Sequence, residues 1–468
     1  MAEAERARAT RAKELASLQA SGKGRSSSPA PSAAKGEDRV RKTLASPSPP
    51  ARAAAKVAPA PAKTVASARR RAGAAPLAAK TVATAPSTSY ALLGSPFPLR
   101  PLTARRTVRK EAVKGRVWTF DQPQGLGFSK VTVNTRMTVV RLKSGGLWVH
   151  APVAPTGECL ALLAELGGEV ECVVLPTFAI EHKVFFGPFA RRFPRASVWV
   201  APRQWSFPLD LPLSLLGLGF RDVFELDDDL SIAQCPWRAE VDFAVNLQEG
   251  FSEIGPYCEV GFFHRDTKTL LVTDCVVQVP RDPSSLGCLD PEELVSNAAP
   301  QALNPFSPTP PDSPAARLLG WQRTVLQVLF FGPGDLNEPA ATFDALCEPR
   351  VILSPVVRTL VFSKCAEGVA RWVDTVCAWD FDKVIPCHLA GPFSCGPDEF
   401  RRAFSGIYAA AGRTTPAKGT GPFGLGPPKE TAPPLDFDRD LPADMRILNG
   451  LNGFLVAVGA VDDPSKKK

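Results

Sequence analysis

Four acid or imidazole side chains stand where three apolar runs of this 468-residue sequence come to an end. Glu181 and His182 follow "VVLPTFAI", Asp274 closes "TLLVTD", and His388 leaves "DKVIPC". Imidazole nitrogens and carboxylate oxygens bind metal ions, and α/β folds commonly place ligands beyond the carboxyl ends of strands. A carboxylate arriving after an apolar run is also costly to bury unless it finds a partner. Each of these strand ends therefore carries a potential metal ligand. The plainer alternative is that Glu181 and His182 form a hydrogen-bonded pair that fixes a loop. Of the other two histidines, His264 in "FFHRDTK" reads as a hairpin residue near a turn, and His150 in "LWVHAP" as a strand-end residue. Cys387 beside His388 and Cys275 beside Asp274 make no nucleophilic dyads, because adjacent residues on an extended strand point to opposite faces.

The elements needed to bring these groups together are legible as alternating strands and helices. Residues 117–153 show the alternation and β-branched content of successive strands, with Ser144-Gly145-Gly146 as a tight hairpin turn. Thr156 is a fair cap for a short helix carrying Leu160, Leu163 and Leu166, which Gly167 stops. Residues 173–202 read as a buried strand, a loop holding Glu181 and His182, a helical turn over "FGPFARRFP", and another strand. "FAVNLQ", "CEVGFFHRDTKTLLVTDCVV" and "DKVIPCHLAG" supply further strands. Helical periodicity appears in "PAARLLGWQRTVLQVLFF", "SKCAEGVARWVDTVCAW" and "PDEFRRAFSGIYAAAG". Hairpins mixed with buried runs and helices predict a layered α/β fold. Two Pro-rich stretches, 280–315 and 413–440, read as loops within it. The second contains Gly419, Gly421 and Gly424 in GxGxxG spacing, but it follows no strand and opens no helix, so it is not read as a phosphate cradle.

Composition divides the chain. Residues 1–117 carry 24 Lys and Arg against 6 Asp and Glu, a net of +18, so the overall +8 leaves −10 for the remainder. That leader is rich in Ala, Ser, Pro and basic residues and lacks the large apolar residues a core requires. Residues 1–115 are expected to be disordered and to act as a transit peptide for the chloroplast, with a cytoplasmic location as the alternative. A basic arm touching nucleic acid is a further reading of the leader, whereas the acidic balance of residues 118–468 makes nucleic acid an unlikely ligand of the core. No apolar run reaches the roughly 18 residues of a spanning helix. The eleven cysteines contain no CxxC pair and read as reduced, mostly buried thiols.

Residues 117–460 resemble the metallo-β-lactamase fold superfamily, and more closely the plant, algal and cyanobacterial family catalogued as domain of unknown function 4336, through text such as "VVLPTFAIEHKVFFGPFARRFPRASVWVAPRQW". The superfamily's His-x-His-x-Asp-His falls on Thr177, Phe178, Ala179, Ile180, Glu181 and His182. Its bridging acid falls on Asp274 and its late histidine on His388, and no histidine lies between residues 183 and 263 for the middle ligand. The resemblance thus implies an αββα sandwich over residues 116–468 in which one metal position has lost its three histidines. Glu181, His182, Asp274 and His388 would surround the other. Two imidazoles and two carboxylates suit one Zn, Fe or Mn ion, with the carboxylates favouring the harder metals. Where the superfamily has Asp-x-Gly this chain has "WVHAP", so His150 is expected to face the same pocket as Thr177, behind the ligands or against substrate.

What this implies is a hydrolase whose metal lowers the pKa of a bound water and polarises an ester, thioester or phosphoester. The competing expectation is a non-catalytic binding or scaffold protein on the same fold, with an unknown small-molecule or protein partner. "RQWSFPLDLPLSLLGLGF" favours the latter, since Trp205, Phe207, Leu209, Leu211 and Leu213 alternate with smaller or polar residues and would form an apolar lip.

Overall fold

Val117, Trp118, Val139, Val140, Trp148 and Val149 lie in adjoining strands and are all buried, because the sheet they form is covered on both faces. The computed structural model describes residues 86–91, 99–126, 129, 131–204, 217–218, 222–299, 308–332, 334–347, 351–415 and 434–463, all within the unit Thr81–Lys468. Of the leader expected to be disordered over residues 1–115, residues 1–85 and 92–98 lie outside the described residues, as do the segment from Trp205 to Ser214 and the GxGxxG glycines. Residues 99–100 and 108–113 are strands paired with residues 117–126, so the expected disorder does not extend over them.

The first sheet has eight strands: β1 Leu99–Arg100, β2 Val108–Val113, β3 Val117–Leu126, β4 Thr132–Arg141, β5 Leu147–His150, β6 Val170–Leu175, β7 Ser197–Val200 and β8 Phe224–Glu225. β3, β4 and β5 are antiparallel neighbours, and β5 to β8 run parallel. Gly145, at φ +89°, makes the β4–β5 turn read from Ser144-Gly145-Gly146. The second sheet contains β9 Val241–Gln248, β10 Tyr257–His264 and β11 Thr269–Leu271. A two-stranded pair, β12 Val276–Val277 with β13 Ile352–Leu353, stands apart. β14 Lys383–Ile385 and β15 Phe393–Ser394 complete the second sheet in the order β15-β14-β11-β10-β9.

The helices are α1 Gly157–Ala164, α2 Ile180–Ala190, α3 Pro291–Asn297, α4 Pro314–Phe330, α5 Ala340–Leu346, α6 Pro355–Leu360, α7 Ala366–Val376, α8 Pro397–Ala403, α9 Ser405–Ala410, α10 Phe437–Asp440 and α11 Arg446–Ala457. α1 and α2 cover the outer face of the first sheet through Cys159, Leu163, Phe186 and Phe189. α7 to α9 cover the second through Val369, Trp372, Phe400 and Tyr408. Between the sheets Trp148, Trp199, Trp237, Phe243 and Phe262 interdigitate, with Trp148 and Phe262 ring centroids 5.2 Å apart. The layers are therefore helix, sheet, sheet, helix: an αββα sandwich. A large side chain buried in this middle layer contributes about 1.5–3 kcal/mol. A further cluster joins α3, α4 and α5 to β12, β13 and the last two helices. No helix among the described residues is long and apolar enough to cross a membrane.

Two local expectations are corrected. The stretch before "FGPFARRFP" is helix rather than loop, since α2 begins at Ile180 and takes Glu181 and His182 into its first turn. Its buried residues run around the whole circumference and Gly187-Pro188 looks like a breaker, so no helical stripe was visible; packing on the sheet overrides both signals. The Pro-rich stretch 280–315 contains α3, capped by Asp290, whose side chain accepts from the Glu292 N–H, with Pro291 in the first turn.

Candidate metal centre

Strand pairing brings the distant acids and imidazoles together. β11 and β14 are parallel neighbours with Leu271 opposite Ile385, so both chains leave the sheet at the same end. Asp274 and His388 each follow three residues beyond. The first sheet reaches the same point from the other side: β6 ends at Leu175, Val260 N donates to Pro176 O at 2.9 Å, and Thr177 bridges to Glu259 before α2 begins. Glu181, His182, Asp274 and His388 each offer a ligand atom, and these atoms lie within 4.8 Å of one another. His388 Nε2 is 3.1 Å from Asp274 Oδ1 and 4.0 Å from Glu181 Oε1. The rings of His182 and His388 stand 5.3 Å apart at 48°.

A network not evident in the sequence holds His388. Its Nδ1 donates to the Asn134 carbonyl at 2.8 Å, which turns Nε2 toward the acids. The Asn134 side chain accepts from Leu389 N at 2.8 Å and donates to Asp121 at 2.7 Å. Arg136 pairs with Asp121 at 3.0 Å and donates to Pro386 O and Leu389 O at 2.8 and 2.7 Å. Arg136 and Asp121 are buried, and the guanidinium bonds backbone on either side of His388, while Arg136 Nε and Asp121 Oδ2 have no hydrogen-bond partner. Leu389 adopts a left-handed φ of +56°, a strained backbone for a branched side chain, and these bonds over-determine it.

Glu259 does the same for Asp274. Its Oε1 accepts from Thr273 N at 2.7 Å, Asp274 N at 3.1 Å and Cys275 N at 3.4 Å, while its Oε2 accepts the Tyr257 hydroxyl at 2.7 Å. One fully buried carboxylate thus gathers the turn that presents Asp274. Sequence reasoning missed Glu259, whose only signal was an acid at a buried phase of the strand "YCEVGFF".

The site is rich in negative charge. Burial, then the charge of Asp274, raises the pKa of Glu181, and the same two causes raise that of Glu259. Burial also pushes Asp274 up, but its hydrogen bond to His388 and that ring's charge hold it below the usual range. For His388 burial opposes the charged form, yet the bond and charge of Asp274, followed by Glu181, raise it to about 9. Burial lowers His182 to about 4, leaving a neutral imidazole whose buried Nε2 has no hydrogen-bond partner. Two carboxylates and the ring of His388, beside an orphaned imidazole nitrogen of His182, form a donor set that fits a divalent cation.

The remaining residues separate cleanly. Thr177 lines the cavity next to the four, and its hydroxyl accepts from Ala179 N at 3.2 Å. His150 does not line that cavity. It lies buried between the sheets, stacked 5.9 Å from Trp148 and edge-on to Phe262, with both ring nitrogens unpartnered and its pKa lowered to about 3, first by burial and then by His182. The alternation of β5 turns it inward. His264 sits at the far end of β10, bonded to Thr267 at 2.7 Å beside the turn expected there. All eleven cysteines are free and nine are buried; burial raises the pKa of Cys387 well above a thiol's usual value.

A cavity of about 540 Å³ is lined by Glu181, Asp274 and His388, by aliphatic side chains such as Ile180, Val328, Leu329, Val356 and Val357, and by Phe178, Tyr257 and Phe331. Beyond the residues of the cluster, Lys183 is the only cationic side chain among its described lining residues, 5.6 Å from the Phe178 ring.

Among solved structures, a metallo-beta-lactamase from Pontibacter korlensis is 11% identical with a TM-score of 0.32, covering 64% of this chain and 99% of its own. The metal-soaked Flv1 flavodiiron core from Synechocystis sp. PCC6803 is 11% identical at a TM-score of 0.36, covering 65% of this chain; this chain spans 62% of that one. A fragment of a putative diflavin flavoprotein from Nostoc sp. PCC 7120 is 8% identical at 0.37, covering 65% and 98%. No curated protein matches the chain. Residues 114–342 and 336–405 match one family over more than half of the sequence, and the chain belongs to that family, described as a domain of unknown function (DUF4336).

Proposed function

We propose that this protein is a hydrolase holding one Zn, Fe or Mn ion on Glu181, His182, Asp274 and His388, and that it cleaves an ester, thioester or phosphoester. One observation carries the reading: four ligand atoms from three distant stretches of chain lie within 4.8 Å of one another. Excess buried carboxylate there would be unfavourable without a cation. The ion would supply a Lewis acid that polarises a carbonyl or phosphoryl oxygen and acidifies water. The chain's own residues do the rest. His388 keeps its Nδ1 proton on the Asn134 carbonyl, leaving Nε2 as the ligand atom. Glu259 orients Asp274 through the backbone, and Tyr257, held by Glu259, keeps a phenol at the cavity wall.

Elemental analysis of the purified chain tests this. About one equivalent of metal is expected, falling to trace in the Glu181→Ala, His388→Ala double variant. A metal-free parent protein, after growth and reconstitution with each of the three metals, refutes it. We further propose that the basic leader, ending before β1 at Leu99, is a plastid targeting segment. Fused to a fluorescent reporter it should carry the reporter into plastids, and a cytosolic reporter refutes that assignment.

A further inference from the structure

The cavity above the four ligands narrows the substrate class. Glu181, Asp274 and His388 form its charged end beside Thr177 and Tyr257, and Gln124, Lys183 and Ser354 are its other polar lining residues. The rest of the wall is mainly aliphatic, with Val133, Val277, Val328, Leu329, Val356 and Val357 beside the ring of Phe178. Phe331, half-exposed and at a left-handed φ of +60° where α4 stops, stands at the rim. At about 540 Å³ the cavity falls within the range of sites for small organic ligands, and a site of one polar end and one apolar body selects an amphipathic molecule.

Charge and shape choose among amphipaths. No arginine lines the cavity among the described residues, so the bidentate groups that usually grip phosphate are missing. The carboxylates of Glu181 and Asp274 on its lining oppose an additional anion. Branched aliphatic side chains outnumber the aromatic Phe178, Tyr257 and Phe331 along the wall and fit an alkyl chain by contact. We propose that the cavity binds a medium-length acyl chain, with the acyl carbonyl at the Glu181–Asp274–His388 end, so that the substrate is an acyl ester or acyl thioester rather than a phosphoester. Hydrolysis adds water across the acyl C–O or C–S bond, which breaks to release the carboxylic acid and an alcohol or a thiol. The assignment rests on the metal reading for what meets the carbonyl, whereas the seating of the chain does not depend on it.

Uncharged alkyl hydroxamates separate the two. Calorimetric titration of the full chain with acetohydroxamate, hexanohydroxamate and decanohydroxamate is carried out with metal loaded and again after chelation. Burial of each methylene is worth up to about fourfold in affinity, so decanohydroxamate should bind at least tenfold more tightly than acetohydroxamate in both states. Val328→Trp and Val356→Trp, at half-buried wall positions, should each weaken decanohydroxamate about tenfold and leave acetohydroxamate unchanged. Ile232→Trp, exposed and outside the cavity, should change neither. Equal affinity for all three probes, with ion bound, overturns the acyl-chain assignment and leaves the metal reading standing. Chain-length dependence that survives unchanged in both tryptophan variants also overturns it. Chain-length dependence in a protein that takes up no ion supports the acyl site and removes the metal reading alone.

Discussion

Two clusters of acids and histidine lie at opposite ends of β10, and they solve the same electrostatic problem differently. At one end Glu181, Asp274 and Glu259 face His182 and His388. At the other, Glu240 and Asp266 face His264. The second cluster is neutralised by the protein itself: Arg116 lies 3.1 Å and Lys143 3.3 Å from Asp266, and Glu240 accepts from Lys143 N at 2.9 Å. Slight burial opposes the charge of Asp266, but Lys143 and then Arg116 hold its pKa low. In the first cluster the carboxylates face an imidazole instead, His388 Nε2 lying 3.1 Å from Asp274 and 4.0 Å from Glu181. Two groups of similar composition therefore differ in their counter-charge: a half-exposed arginine and an exposed lysine in one, a largely buried histidine in the other.

The sharpest test of the contrast removes the scaffold of the first cluster. Arg136→Ala strands Asp121 in the interior and should destabilise the fold by about 3–5 kcal/mol in denaturant titration, while abolishing metal uptake. Arg116→Ala at the half-exposed second cluster should cost less than about 1 kcal/mol. Next in size, Asn134→Ala releases Leu389 and should weaken metal binding about 10–100-fold in competition with a fluorescent chelator. Thr267→Ala, which removes the corresponding partner of His264, should leave metal binding unchanged.

A pH titration follows. His388 must lose its Nε2 proton to act as a ligand, and that proton leaves at about 9 in the metal-free protein. Metal affinity should therefore rise with pH, about tenfold per unit, and level off above about 9. Metal-free stability carries the opposite sign. A histidine raised above its unfolded value of about 6.5 contributes fully below that pH, and its contribution is lost as pH rises through about 9. Thermal melts of chelated protein between those limits should show stability falling. The smallest effect is Lys143→Ala, a loss under about 1 kcal/mol that vanishes in high salt.

The four central residues were legible because each closes an apolar run, a position where a charged or ionisable side chain has few innocent explanations. The layered architecture was legible for a related reason: strand alternation and helical stripes both mark one-sided burial. What stayed hidden is burial on all sides. α2 has apolar residues around its whole circumference, so the first-turn position of Glu181 and His182 left no periodic trace. Glu259, Asp121 and Arg136 read as ordinary polar residues within strands, and only tertiary contact shows that each orients a loop more than ten residues away. His150 followed from the resemblance to a pocket position, but strand alternation aims its ring into the aromatic layer.

The parallel pairing of β11 with β14 separates two jobs along the chain. Asp274 and His388 are fixed by adjacent strands, yet the intervening excursion supplies Val328, Phe331, Val356 and Val357 to the cavity wall. Exchanging or lengthening that excursion can thus reshape what the protein admits while the reactive end stays in register, which makes it the natural segment to transplant in altering selectivity.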